Sequence, residues 1–234
     1  MTDTPFVLGW NRPKRTERLL PRLYPAPRAP QLRSVMHELY GPVLNQGQIG
    51  SCTGNDVTDC LRSVPLYDAA AAAYDEQTAL GVYSLAEKIL GGQGYPPEDN
   101  GATNGAAAAA AVRLGLASGW THCLDFEHFL STLVLQPVMF ASEWTAEMFD
   151  PAPGGEVRPI GAVQGGHSYA AIGLDVASRR VWFLNSWGSS WGVNGTFWMS
   201  FLNVGRLFEQ NEVIALHVAP TPHRQRTPRG CLAL

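Results

Sequence analysis

The chain has 234 residues, a net charge of −3, 16% charged and 45% hydrophobic residues. A charged fraction below the roughly 25% usual for soluble chains, beside so much apolar residue, excludes a disordered protein and suits one large domain or two small lobes. The near-balanced charge gives no reason to expect nucleic acid or an anionic membrane as a partner.

The balance is uneven along the chain. Residues 1–33 hold seven of the 17 Lys and Arg and two of the 20 Asp and Glu, which leaves ten basic and eighteen acidic residues beyond them. Six prolines and little periodicity make this stretch an extended basic arm on an acidic body. The opposite charges predict a strap, either bracing the body or restricting a cleft in it. "MTDTPFVLGWNRPKRTERLL" lacks the apolar run of roughly 7–15 residues of a secretory signal. No stretch approaches the ~20 apolar residues of a membrane span. A cytoplasmic location is therefore expected. Cys52, Cys60, Cys123 and Cys231 show neither C-x-x-C nor metal-ligand spacing and are expected to be reduced thiols.

After an irregular stretch at 34–51, "SCTGNDVTDCLRS" predicts a helix from Ser51 or Cys52 to about Ser63, with Val57, Cys60, Leu61 and Val64 at helical spacing. A second helix is expected over roughly 67–90. "GGQGYPPEDNG" is a loop by composition, and "TNGAAAAAAVRLGL" restarts a helix at 103–116. The character then changes. "PVMFAS", "HSYAAIGLD", "RVWFLNSW", "TFWMSF" and "EVIALHVA" read as strands. A helical half at about 34–118 thus precedes a β-rich half at about 119–219, and 220–234 forms a loose basic tail. His167 is expected to open a strand and Asn185 to close the next. The turn "DVASRR" makes the two strands antiparallel neighbours, so both residues lie toward one end of a hairpin.

Cys52 sits in "LNQGQIGSCTGN", a polar, glycine-punctuated stretch unlike the apolar surroundings of a structural thiol. A free cysteine titrates near ~8.5, and the unpaired N–H groups at a helix start favour its thiolate. The Cys52 N–H and the Gln46 carboxamide, folded back across Gly47 and Gly50, form a candidate pair of oxyanion donors. A thiol nucleophile needs a base and the base an orienter, which His167 and Asn185 supply.

The order Gln46, Cys52, His167, Asn185, with "NQGxxGSC", "GGHSYAAIGLD" and "NSWGSSWGVNG", resembles the papain-like cysteine peptidases over about residues 42–203. The "GQIGSCTGN" form is similar to a bacterial and phage branch. The resemblance implies an α+β, two-lobed fold with a cleft between the lobes. It implies Cys52 as nucleophile, His167 as base, Asn185 as orienter and Gln46 in the oxyanion hole. Trp187 would shield the His167–Asn185 bond from water. Relatives place a substrate-binding edge at the loop 98–104, so Asn100 and Gly101 are substrate-binding candidates, and Gly166 beside His167 is another. Ile49 stands where many members carry a disulfide cysteine, and Thr53 where many carry Trp, so substrate contacts near Thr53 do not transfer. About 45 residues precede "NQG", too few for the large inhibitory segment of the secreted relatives.

The activity implied is hydrolysis of a peptide or protein substrate through a thioester, with no metal or organic cofactor and no nucleic-acid or membrane partner. Two alternatives stay open: a Cys–His amidase acting on cell-wall or isopeptide bonds, and a papain-fold protein kept for binding or assembly, for instance in a phage particle.

Overall fold

The computed structural model describes residues 6–13, 31–67, 73–208 and 212–218. The tail from 219 and residues 14–30 of the arm lie outside the described residues.

Three helices come first. α1 (Cys52–Leu61) buries all ten of its residues, the polar Asn55, Asp56, Thr58 and Asp59 included. Its packing on α2 (Glu76–Ile89) is close: a Cβ on Gly54 would lie 2.1 Å from the Ala79 carbonyl oxygen. α2 starts later than the sequence suggests. Asp75 caps it by accepting from the Gln77 and Thr78 N–H groups in a capping box, and residues 68–72 of the expected helix lie outside the described residues. α3 (Asn104–Arg113) is capped by Thr103, and its small side chains let it bury seven of its ten residues.

The second half supplies six strands of a seven-stranded antiparallel sheet: β2 (Gly119–His122), β3 (Val138–Thr145), β4 (Val163–Asp175), β5 (Arg180–Leu184), β6 (Thr196–Ser200) and β7 (Val213–His217). These are neighbours in the order β2-β7-β3-β4-β5-β6, and the short β1 (Val35–Met36) pairs with the far end of β4. Alternation assigns the two faces. Met139, Ala170, Ile172 and Leu184 meet the helices α1 to α3. Phe140, Tyr169, Ala171 and Phe183 meet a second apolar cluster with Phe129, Trp144, Trp187 and Phe197. The β-rich half also contains α4 (Phe126–Leu135), α5 (Phe201–Phe208) and a 3₁₀ turn at Ala146–Phe149. None of the three was expected, although Asp125 capping Phe126, Phe129, Leu130 and Leu133 is a helical signal. No helix among the described residues is long and apolar enough to cross a membrane.

His167 does not open its strand. β4 starts four residues earlier, because Gly165 and Gly166 keep extended pairing with Trp144 and Glu143 of β3. These glycines admit a neighbouring chain: a Cβ on Gly166 would lie 2.3 Å from the Trp10 carbonyl oxygen.

Candidate active site

Cys52 is the first residue of α1, fully buried where the helix meets β4. Ser51 occupies the N-cap position without a side-chain cap, its hydroxyl donating to Asn55 Oδ1 at 2.8 Å. The Cys52 thiol is met by the backbones of Ser168, Gly9 and Thr53, which favour a thiolate, yet burial outweighs them and pushes its pKa up to about 12. Cys60 and Cys123 are also free and buried; Cys231 lies outside the described residues.

His167 and Asn185 are brought together by the β4–β5 hairpin. His167 Nε2 lies 2.7 Å from Asn185 Oδ1. That oxygen also accepts from the Ser186 N–H at 2.8 Å, so it is an acceptor and the Nε2 proton is on the ring. The lone pair of the neutral imidazole is then on Nδ1, which is buried without a hydrogen-bond partner among the described residues. Trp187 stacks on the ring at 4.6 Å and 21°, and Trp144 meets it edge-on at 5.0 Å. Burial between these indoles outweighs the Asn185 bond and lowers the His167 pKa to about 4.

The loop 44–50 docks on the residues after Asn185. Gln46 N–H donates to the Ser186 carbonyl at 2.9 Å, and Ser186 Oγ donates to Gln46 Oε1 at 2.6 Å. This fixes the carboxamide with its nitrogen inward, where Nε2 donates to the carbonyls of Ile49 at 2.8 Å and Val7 at 3.2 Å.

Val7 belongs to the arm, whose described part runs through the site. Gly9 accepts from the Ala102 N–H at 2.9 Å, Trp10 N–H donates to Gly166 at 3.0 Å, and Asn11 N–H donates to Ala102 at 2.8 Å. Trp10 is 4% exposed and packs with Cys52 and Ala141, its indole Nε1 3.5 Å from Glu212 Oε2. Phe6 stacks on Trp187 at 4.4 Å. Among the described arm residues one ion pair forms, Arg12 to Glu143 at 3.7 Å with both groups well exposed. Apolar burial and backbone pairing hold residues 6–13; Lys14, Arg15, Arg18, Arg22 and Arg28, on which the expectation of a charged strap mainly rests, lie outside the described residues.

The three substrate-binding candidates face the arm in different ways. Gly166 accepts from Trp10 N–H, and the Asn100 carbonyl accepts from Asn11 Nδ2 at 2.7 Å. Gly101 does not pair: its N–H donates to the Tyr83 hydroxyl at 2.9 Å, and the ladder falls one residue later, on Ala102. Val7, Gly9 and Trp10 were not singled out from the sequence; the only signal there is "FVLGW", an apolar stretch inside a basic, proline-rich arm.

A pH prediction follows from the covered thiol. In the intact chain the rate of Cys52 alkylation should keep rising with pH toward about 12. When residues 6–13 leave the cleft, water reaches the site, and the alkylation midpoint should move down by about one unit or more. Mass-spectrometric labelling across a pH series measures both, and equal midpoints would show that the arm does not control solvation of the thiol.

No protein-family model matches the chain and no curated protein matches it. Solved structures do. The chain superposes on xylellain, a cysteine protease from Xylella fastidiosa, with a TM-score of 0.69 and 18% identity over 91% of this chain and 96% of that one. The fold is that of the papain-like cysteine proteases. Digestive procathepsin L 3 of the Tenebrio molitor larval midgut matches with a TM-score of 0.61 and 15% identity, over 89% of this chain and 76% of that one. The Carica candamarcensis cysteine protease CMS1MS2 matches with 0.56 and 15%, over 77% and 94%.

Proposed function

We propose that the chain is a papain-like cysteine peptidase closed by its own residues 6–13. The observation that carries the reading is the imidazole of His167, fixed through Nε2 on Asn185 with Nδ1 buried and without a hydrogen-bond partner among the described residues, next in sequence to Ser168, whose backbone meets the helix-start thiol of Cys52.

With the arm in place, the raised thiol and the lowered imidazole leave both groups neutral at physiological pH. The arm does not lie as a substrate would. Gly9 favours the thiolate through its backbone, so it presents a donor to the sulfur, while the carbonyl on Gln46 belongs to Val7, two residues earlier. Attack requires one carbonyl to meet both the nucleophile and the oxyanion donors. Once the arm leaves, Nδ1 takes the thiol proton and Cys52 Sγ bonds to the substrate carbonyl carbon. The oxyanion accepts from Gln46 Nε2 and the Cys52 N–H. His167 returns the proton to the leaving amine as the C–N bond breaks. Water, deprotonated by His167, then cleaves the thioester.

A thiol-reactive electrophile tests the reading. With the arm displaced, Cys52 should label faster than Cys60 and Cys123; equal labelling would favour the binding or assembly reading, which the filled cleft itself suggests. Incubation with a peptide library and with purified peptidoglycan separates a general peptidase from an amidase of cell-wall bonds. The roles also predict an order of losses. His167→Ala removes the group that moves protons, whereas Asn185→Ala only frees its ring, so the histidine variant should lose more turnover by about tenfold or more. Equal losses in steady-state kinetics would count against these assignments.

A further inference from the structure

Beneath the candidate nucleophile lies a carboxyl group without a cation. Asp56 follows Cys52 by one helical turn and is 1% exposed. No ion pair reaches it among the described residues; the nearby Arg62 guanidinium goes to Asp59 at 3.8 Å. Asp56 Oδ1 accepts from the Cys60 thiol at 3.7 Å, and Oδ2 lies 2.6 Å from Ser168 Oγ. Ser168 Oγ also lies 2.7 Å from Asn104 Oδ1. The orientation of that amide is set, because Asn104 Nδ2 donates to the Glu212 carbonyl at 3.3 Å. Asn104 itself is pinned by its N–H on Glu212 Oε2 at 2.7 Å.

The proton count decides the chemistry. A serine hydroxyl has one proton and here faces two oxygens at hydrogen-bond distance. Asn104 Oδ1 only accepts, so Ser168 donates to it, and the contact to Asp56 is then a bond only if Asp56 is the donor. An ionised Asp56 would leave two acceptors opposed in a dry site, at a cost that buried polar groups rarely bear.

We propose that Asp56 is a protonated, neutral acid at working pH and a positioning residue for the site. Its O–H donates to Ser168, whose O–H donates to Asn104. The chain ties the strand carrying His167 to the helix carrying Cys52 and places no negative charge under the thiolate. The proposal rests on the peptidase reading for its purpose, though not for the protonation itself. The groups around Asp56 and its partner Ser168 include no cation among the described residues. On α1 these are Cys52, Asp59 and Cys60; on β4, Ser168 and Tyr169; on β3, the backbone of Phe140; and on α3, Asn104. Burial above all, with Asp59, raises the Asp56 pKa and outweighs the donors on Ser168, Cys60 and the Phe140 backbone, which lower it, so the group stands well above the usual carboxylate range.

The test uses the full chain carrying Gly9→Val to displace the arm, with and without Asp56→Asn, which keeps size and a donor for Ser168. The infrared difference spectrum at neutral pH should show a carboxylic-acid carbonyl band that Asp56→Asn removes. The midpoint of iodoacetamide alkylation at Cys52 should stay where it was. An acid whose folded pKa lies above its unfolded value contributes fully to stability below the unfolded pKa and loses that contribution as pH rises through the folded one. Asp56→Asn should therefore melt higher than its parent, by a margin that widens toward alkaline pH. Asp56→Ala, which cannot donate, should slow the alkylation that Asp56→Asn preserves. The proposal is overturned if no acid band disappears. It is also overturned if Asp56→Asn lowers the midpoint by about a unit or more, as loss of a nearby negative charge would require. Labelling of Cys52 no faster than Cys60 and Cys123 would instead defeat the peptidase reading, and the infrared band would still decide Asp56.

Discussion

Gly9→Val should raise the rate at which Cys52 reacts with a small electrophile by about ten- to a hundredfold. A Cβ at Gly9 would lie 1.9 Å from the Gly50 carbonyl oxygen and 2.4 Å from its carbon, distances that no side chain tolerates. The opposing loop has little room to withdraw, because the Gly50 N–H is held by Asp99 at 2.9 Å. The strain is therefore relieved by the arm leaving the cleft. What resists departure is chiefly the burial of Trp10, and fully burying a large apolar side chain contributes roughly 1.5–3 kcal/mol. At about 1.4 kcal/mol per factor of ten, that sets the range. Raising the salt concentration of the unaltered chain should have little effect. The Arg12–Glu143 pair is exposed, with side chains 48% and 35% accessible, and such pairs contribute less than about 1 kcal/mol. An unchanged labelling rate in a folded Gly9→Val protein would show that residues 6–13 do not limit access to the thiol.

The second large effect belongs to Cys52 itself. In the Gly9→Val background, Cys52→Ala should lower peptide turnover by at least about a thousandfold, since without a nucleophile only binding and the oxyanion donors remain. Its melting temperature should stay close to the parent's. One sulfur is removed from a site that the rest of α1 keeps packed, a loss of about 1 kcal/mol for an ordinary point change. Parallel assays of turnover and thermal unfolding separate the two quantities. Turnover that survives the substitution would remove Cys52 from the chemistry, and a collapse in melting temperature would return it to the structural thiols.

The chain by itself determined the features that depend on neighbours in sequence. Helix α1 starts at Cys52, where the helical spacing of Val57, Cys60 and Leu61 places it, although Ser51 at the N-cap position makes no side-chain cap. The hairpin of β4 and β5 follows from two β-branched, aromatic runs around a short polar turn, and with it the meeting of His167 and Asn185. The order of Gln46, Cys52, His167 and Asn185 was legible for the same reason, as each lies in its own glycine-marked stretch. Tertiary structure decided what depends on contacts across the chain. Nothing in the periodicity of "FVLGW" indicates that Trp10 fills the space beside Cys52 and Ala141, because an extended strand bonded through its backbone carries no side-chain signature. The composition pointed to charge as the hold on the arm; in residues 6–13 the hold is backbone pairing and the burial of Trp10, while five of the arm's seven basic residues lie outside the described residues. Asp56 is buried because α1 is enclosed along its whole length. Its proton is required only once folding brings Ser168 and Asn104, 112 and 48 residues away in the chain, to the same few ångströms.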